Sequence, residues 1–462
     1  MATVNLMGAP PVSGIETVQL SYLAWLESEE NDRAGKYATF RDYYEGEHAT
    51  QLTKRLRKFL ELKDDQEFNL NMCPIVVDAL AEKLKVARFE TKTNADLLAE
   101  WWAKNRMDGM QAVVHLSAVR DGDTYLLVEW DNDGERPRFT QENAYNGSEG
   151  MHLVYSDERR QIPIVAIKRW TITSGPNVKT RRTNLYYPDH IEKYTDLGSG
   201  QAWQRYTDEA DPRWPIPWDD NGAPLGIPVI HFRNKDQGYS YGESELEDVV
   251  PMQNGLNKTV IDLLAAADAS AFQIPWMTGG KPENMIFAPG SWVWTTDKDV
   301  KVGTITPADL AGLIALKDSI AADIGKITRT PLSFFQLTGQ VAAAGTLKEQ
   351  RSGIIAKARD RQTVFGNAWE DALSMACRLH NAFETGKLNL EDEITTVWED
   401  DEKPEPKELA EQVELLSRAE AASTQTKVQI LHPGWSEKQI AAEVALILAE
   451  TGQAVPEIGA VA

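Results

Sequence analysis

The sequence predicts an α+β protein, with helices at the start, short antiparallel strands in the middle and long helices through the C-terminal half. Three observations predict it. Between about 124 and 232, apolar residues alternate in short runs separated by turn-forming pieces such as SGPN and DLGSG, the pattern of half-buried strands. From Gly242 to Gly386 the spacing changes to threes and fours, the stripe by which a helix packs on other helices. Helix-start signals recur there at Ser244, Thr306 and Thr346, so the region divides into three long helices, a strand-rich insert and an uncharged loop.

Residues 1–15 read as a loose arm rich in Pro, Gly and small side chains. Residues 16–241 read as one mixed region. Its helices are predicted at Glu16–Tyr44, with Leu20, Leu23, Trp25 and Leu26 inward, at Asn71–Val86, with Ile75, Val76, Leu80 and Leu84 inward, and at Ala95–Val119, anchored by Trp101 and Trp102. Strands follow at Thr124–Trp130, His152–Tyr155, Ile164–Trp170, Asn184–Tyr187, Ala202–Tyr206 and Ile227–Phe232.

The first long helix, within 242–273, opens on the S-x-x-E box Ser244–Glu247 and carries the seam Leu246, Val249, Gln253, Leu256 and Val260, with a kink expected at Pro251. An insert at 274–305 contains PW, GG, KPEN and APG turns and the strand Ser291–Thr296. The second helix, within 306–331, starts at Thr306 with Pro307 in its first position. Its stripe is Leu310, Leu313, Lys317, Ile320, Ile324 and Ile327, and Pro331 ends it. Gln253 and Lys317 are single polar interruptions of otherwise apolar seams. The loop at 332–345 has no charged residue in a chain that is 26% charged. A third helix from Thr346 to about Ala382 would reach roughly 55 Å at 1.5 Å per residue, and a strand at Ile394–Trp398 closes the 346–399 stretch. An acidic, Pro-containing hinge leads to two helices, Pro406–Ala422 and Ser436–Thr451, within 400–451, and 452–462 reads as a disordered tail.

Composition narrows the function. A formal net charge of −22 argues against a protein that holds nucleic acid by neutralising phosphates. Such a chain can still let DNA pass. Cys73 and Cys377 lie far apart and in no C-x-x-C pair, which excludes a disulfide scaffold and a cysteine-rich zinc site and fits a reducing compartment. No apolar run has the length of a membrane span, and the N-terminus lacks a basic segment followed by an apolar core.

Gly238-Tyr239-Ser240-Tyr241-Gly242 satisfies G-x-S-x-G between a predicted strand and a helix, the setting of an esterase nucleophile elbow. The flanks lack that fold's alternating strands and helices, and the later histidines, His380 and His432, sit in a long helix and a terminal segment. The competing reading is a glycine hinge before a helix. No G-x-x-x-x-G-K-[ST] loop is present, so the chain is not itself a nucleotide-driven motor, and neither H-E-x-x-H nor H-x-E with a cysteine pair occurs. Asp131, Asp133 and Glu135 do not complete a calcium loop. No metal or cofactor is expected. Basic residues gather on the third helix at Lys348, Arg351, Lys357, Arg359, Arg361 and Arg378, where contact between subunits is favoured over DNA binding.

A series of segments resembles the portal proteins of long-tailed, siphovirus-type bacteriophages. They are YYEGEH at Tyr43–His48, NMCPIVVDALAEKL at Asn71–Leu84, GESELEDVVPMQNGLNKTVIDLL at Gly242–Leu264, TRTPLSFF at Thr328–Phe335, and the run from Ala344 to Leu373. The resemblance implies a dodecameric ring at one capsid vertex, forming a channel through which double-stranded DNA is packaged and ejected. It maps a wing onto 16–241 and the strand near Val397, a stem onto 242–273 and 306–331, a clip onto 274–305, a channel loop onto 332–345 and a short crown onto 400–451. DNA would meet Gln336, Leu337, Thr338, Gly339, Gln340 and Val341. Trp292 and Trp294 would face a terminase packaging motor and later the neck adaptor proteins. Major capsid and scaffolding proteins are the other implied partners, with the virion as final location and the host cytoplasm as the site of assembly. Near-neutral or acidic walls suit such a channel, because each neutralised phosphate adds affinity through released counterions. A serine hydrolase using Ser240, or another ring-forming head–tail connector, stays open as an alternative.

Overall fold

The computed structural model describes residues 15–50, 52, 54–59, 62–63, 68–156, 162–175, 178–196, 203–206, 216–218, 224–271, 275–279, 299–304, 310–335, 344–399, 406–432, 435 and 437–451. The chain divides into two compact units, Met1–Glu399 and Asp400–Ala462.

The larger unit runs α1 (Ile15–Glu45), α2 (Lys54–Phe59), α3 (Cys73–Ala81), β1 (Val86–Glu90), α4 (Ala95–Lys104), α5 (Met107–Asp121), β2 (Asp123–Asp131), β3 (Arg136–Asn143), β4 (Gly150–Tyr155), β5 (Pro163–Thr171), β6 (Arg181–Tyr186), β7 (His190–Asp196), β8 (Gln204–Arg205), β9 (Ile216–Pro217) and β10 (Val229–Arg233). It continues with α6 (Val249–Ala271), β11 (Pro275–Thr278), β12 (Lys301–Thr304), α7 (Leu310–Thr328), α8 (Ala344–Phe383) and β13 (Thr395–Trp398). The smaller unit holds α9 (Pro406–Arg418), α10 (Thr424–Leu431) and α11 (Glu437–Thr451). All strand pairings between these elements are antiparallel.

Strand β2 is buried on both faces, and side-chain alternation explains how. Leu126 and Val128 join a core built on α3, α5 and α8, whereas Tyr125 and Leu127 join a second core against β4 and β5. The β10–β2–β3 sheet therefore lies between the helical layer and the sheet β4–β5–β6–β7–β8, to which β9 is attached through β7. Helix α8 is the spine of the helical core. Phe365, Trp369, Ala372 and Leu373 on it pack with Val76, Leu80, Val114 and Phe232, and Trp369 is only 1% exposed. Truncating an aromatic so placed costs about 3–5 kcal/mol. Its indole donates to Nε2 of His115, whose Nδ1 donates to Leu84 O, and burial lowers the His115 pKa to about 4, keeping the ring neutral.

Several sequence expectations need correction. The helix expected at Asn71–Val86 stops at Ala81, because Val86–Glu90 is taken as the pairing partner of the returning strand β13, Val86 opposite Trp398. The helix expected over Ala95–Val119 is two, broken at Arg106, which adopts a left-handed φ of 54°. Strands β3 and β7 escape a hydrophobic reading because their sequences, RPRFTQEN and HIEKYTD, are mostly polar. Trp25 is not inward but 42% exposed.

The first long helix starts at Val249, five residues after Ser244, so Pro251 falls in its first turn, where no N–H partner is needed, and kinks nothing. The Ser244–Glu247 box does not form. The Ser244 hydroxyl donates to Arg120 O and accepts from Leu246 N, while Glu247 pairs with Lys36. The cap at Thr306–Asp309 and the strand Ser291–Thr296 lie outside the described residues, although β11 and β12 form an antiparallel pair at the base of the insert. In the smaller unit the expected helix at 406–422 ends at Arg418, and an additional helix, α10, begins where the Ser423 hydroxyl caps Thr426 N.

Candidate functional site

The long helices meet in a charged joint built on two buried carboxylates. Asp123, at the start of β2, is completely enclosed. Its Oδ1 accepts from Gly242 N (2.7 Å) and His231 Nε2 (2.8 Å), and its Oδ2 accepts from the Tyr37 hydroxyl (2.6 Å) and Arg33 (3.2 Å). Burial alone would raise its pKa, but the His231 hydrogen bond, the Arg33 charge and the Tyr37 hydroxyl together hold it below its ordinary value. Arg33 also donates to Gly242 O (2.9 Å), so both polar groups of the Gly242 backbone are fixed. A side chain there has no room, since a Cβ would lie 2.3 Å from Gly122 O and 2.5 Å from Asn234 O. The second glycine of G-x-S-x-G is thus explained by close backbone approach.

Three residues on, Glu245 is 3% exposed and faces three cations. Its Oε2 lies 2.6 Å from Lys357 Nζ and 3.7 Å from Lys235 Nζ, and its Oε1 lies 3.1 Å from Arg361 and 3.1 Å from Asn234 Nδ2. Burial would raise the Glu245 pKa, but the charges of Lys357, Lys235 and Arg361 prevail and bring it down to about 2. Lys357 also donates to Thr328 O (2.9 Å), one of the last carbonyls of α7, which satisfies an orphan acceptor and places a cation at the negative end of that helix. One ammonium thereby ties α7, α8 and the approach to α6 together.

The end of α7 is fixed a second way. Arg329 turns left-handed at φ 57° and Thr330 N bonds back to Gly325 O (2.9 Å). Leu332 and Phe335 of the following turn close over Gly325, where a Cβ would sit 2.9 Å and 3.1 Å from them.

Among residues expected to pack the helical pair, Leu246, Val249, Gln253, Leu256 and Ile324 are buried, while Val260, Leu310, Leu313, Lys317 and Ile320 are partly so. Ile327, expected on the same stripe, is 55% exposed. The Gln253 amide is spent within the chain, donating to Leu70 O (2.7 Å) and accepting from Met72 N (2.9 Å). Lys317 pairs with its neighbour Asp318. The loop residues Gln336, Leu337, Thr338, Gly339, Gln340 and Val341, and the insert residues Trp292 and Trp294, lie outside the described residues.

Ser240 is buried, at 2% exposure. His231, the nearest histidine in sequence, has both nitrogens occupied, by Asp123 and by the Tyr155 hydroxyl, and His152 Nε2 bonds the Tyr241 hydroxyl. None of these three hydrogen bonds involves Ser240. Lys357 and Arg361, expected at a contact between subunits, are instead committed inside the chain. Sequence reasoning missed Asp123, Glu245 and Asn234: Asp123 sits in a stretch that reads as a polar turn, Asn234 just past a predicted strand, and Glu245 inside the Ser244–Glu247 box read as a helix start. Gln253, a polar residue inside an apolar seam, did signal a buried polar contact, but its partners Leu70 and Met72 lie outside the joint. Among the described residues no group of acidic, His and Cys side chains could hold a metal ion, and no helix is long and apolar enough to cross a membrane.

Comparison with known proteins bears on residues 23–457, which match the family model described as phage portal protein, SPP1 Gp6-like. The chain is 23% identical over 359 residues to the portal protein of Mycobacterium phage D29 and 28% identical over 357 residues to that of Mycobacterium phage L5. Each alignment covers 71% of this chain and 68% of the relative. A chain from the structure titled "Neck of native GTA particle computed with C12 symmetry" superposes with a TM-score of 0.47 at 13% identity, over 78% of this chain and 89% of that one.

Proposed function

The chain belongs to the SPP1 Gp6-like family of phage portal proteins, a structural component of the virion capsid, and from that premise we propose how its parts serve a DNA channel. Copies stand side by side in a closed ring of twelve at one capsid vertex, and double-stranded DNA enters and leaves through the bore. Residues 16–241 with β13 form the wing, α6 and α7 the stem, 274–305 the clip, 332–345 the channel loop and 400–451 the crown. The loop residues Gln336–Val341 line the bore, and Trp292 and Trp294 in the clip meet the terminase motor and later the neck adaptors. Capsid and scaffolding proteins surround the ring, which assembles in the host cytoplasm. No catalytic role is assigned.

The family match over residues 23–457 carries this reading. The surface of α7 supports it. Along its first half nearly every position is exposed or half-exposed, yet Ile314 and Leu316 are 45% and 49% exposed there, apolar area that a neighbouring copy would cover. The charge of −22 supports sliding over gripping. Native mass spectrometry of the purified chain tests it: a single closed species of fixed high copy number is expected, and a monomer at every concentration would contradict it.

A further inference from the structure

A cavity of about 520 Å³ opens beside the Glu245 joint, between the loop at Lys235, the end of α7 and the α8 face that carries Ala356. Its charges do not cancel. Lys357 and Arg361 are met by Glu245 and Asp360, and Asp236 on the rim is held by Arg233 at 3.4 Å. Lys235 donates to Ser244 O and stands 3.7 Å from an already crowded Glu245. Arg329 is exposed and has no carboxylate partner among the described residues. Five cations, Arg233, Lys235, Arg329, Lys357 and Arg361, thus stand against three carboxylates, Asp236, Glu245 and Asp360, and Lys235 has only a share of Glu245.

The same two residues share a backbone feature. Lys235 and Arg329 are held at φ 49° and 57°, where an L side chain costs about 1–2 kcal/mol and glycine nothing. A cost that glycine would remove is tolerated at both positions, and both present a cation to one cavity.

We propose that this cavity accepts a carboxylate side chain from a second copy of the chain, clasped between Lys235 and Arg329. A single carboxylate fits the surplus better than a duplex, because Asp236 and Asp360 stand among the lining residues and would face the next phosphates of a backbone charged every ~1.7 Å. A copy of this chain supplies such groups readily, having 70 acidic residues against 48 basic ones. Ile327, 55% exposed in the cavity wall, offers apolar contact to the methylenes of an incoming Glu or Asp. The inference rests on the ring proposed above, since only assembly brings the second copy.

The test uses rings co-assembled from ¹⁴N- and ¹⁵N-labelled full-length chains and treated with a zero-length carbodiimide, which joins an amine to a carboxylate in contact with it. Lys235 is expected in mixed-isotope crosslinks to an acidic peptide, and these should fall at least tenfold in R329E rings while persisting in R329K rings. Intact rings in which Lys235 couples only within one isotope, for instance to Glu245, overturn the proposal while leaving the ring standing. Protection of Lys235 by an added duplex oligonucleotide, without any mixed-isotope product, reassigns the cavity to phosphate and overturns it too. A wild-type chain that never leaves the monomer defeats the ring itself, and the carboxylate acceptor with it.

Discussion

Replacing Glu245 by Gln keeps the shape of the joint and removes its charge. Lys357 and Arg361, 9% and 5% exposed, then lose the carboxylate that compensates them. Two routes give the magnitude. Removing one partner of a buried ion pair costs about 3–5 kcal/mol. Independently, lowering the Glu245 pKa from its ordinary 4.5 to about 2 corresponds to about 3 kcal/mol at 1.36 kcal/mol per pKa unit. The sign follows from the direction. A carboxyl whose folded pKa is depressed contributes stability that is fully present above pH 4.5 and is lost as pH falls towards 2. Urea unfolding followed by tryptophan fluorescence, at pH 7 and at steps down to pH 2.5, should therefore show E245Q weaker by about 3 kcal/mol at neutral pH and the gap to wild type closing through the acid range. A gap under about 0.5 kcal/mol at pH 7, or one that does not change between pH 4.5 and 2.5, would refute the assignment of Glu245 as the ionised centre of the joint.

G242A should lose about 3 kcal/mol or more, because the three atoms its Cβ would strike, Gly122 O, Asn234 O and Asn234 N, are backbone and cannot step aside; a thermal midpoint within a degree of wild type would count against this. Q253L should cost about 2 kcal/mol by leaving Leu70 O and Met72 N unpaired, seen as faster hydrogen exchange confined to residues 69–73, and unchanged exchange there would contradict it. S240A should leave ring formation intact and produce no loss of any esterase turnover, since His231 is engaged by Asp123 and Tyr155 and His152 Nε2 by Tyr241; a turnover that S240A abolishes would revive the hydrolase reading.

What was legible in the sequence was what periodicity and helix-boundary signals record. Helix α8 was read almost to its ends, Thr346–Ala382 against Ala344–Phe383, because a start signal at Thr346 and a glycine at 386 bracket a long stretch free of proline. Strands β2, β4, β5, β6 and β10 were found where apolar runs alternate, and β3 and β7 were missed where pairing, not hydrophobicity, makes the strand. The Ser244–Glu247 box misled because its two polar residues bind Arg120 O and Lys36, partners distant in sequence. The joint was invisible for the same reason. Asp123, Glu245 and Lys357 are separated by more than a hundred residues between each pair, and isolated acids and bases in an acid-rich chain read as solvated surface until the fold buries them.

The central claim is that many copies of α6 and α7 surround a bore that DNA threads. An electron-microscopic reconstruction of the assembled protein tests it most directly. The expected map is a twelve-fold annulus with Gln336–Val341 facing the central axis and Ile314 and Leu316 covered by the adjacent copy; a map in which those loop residues point away from the axis, or α7 keeps its apolar face in solvent, would contradict it.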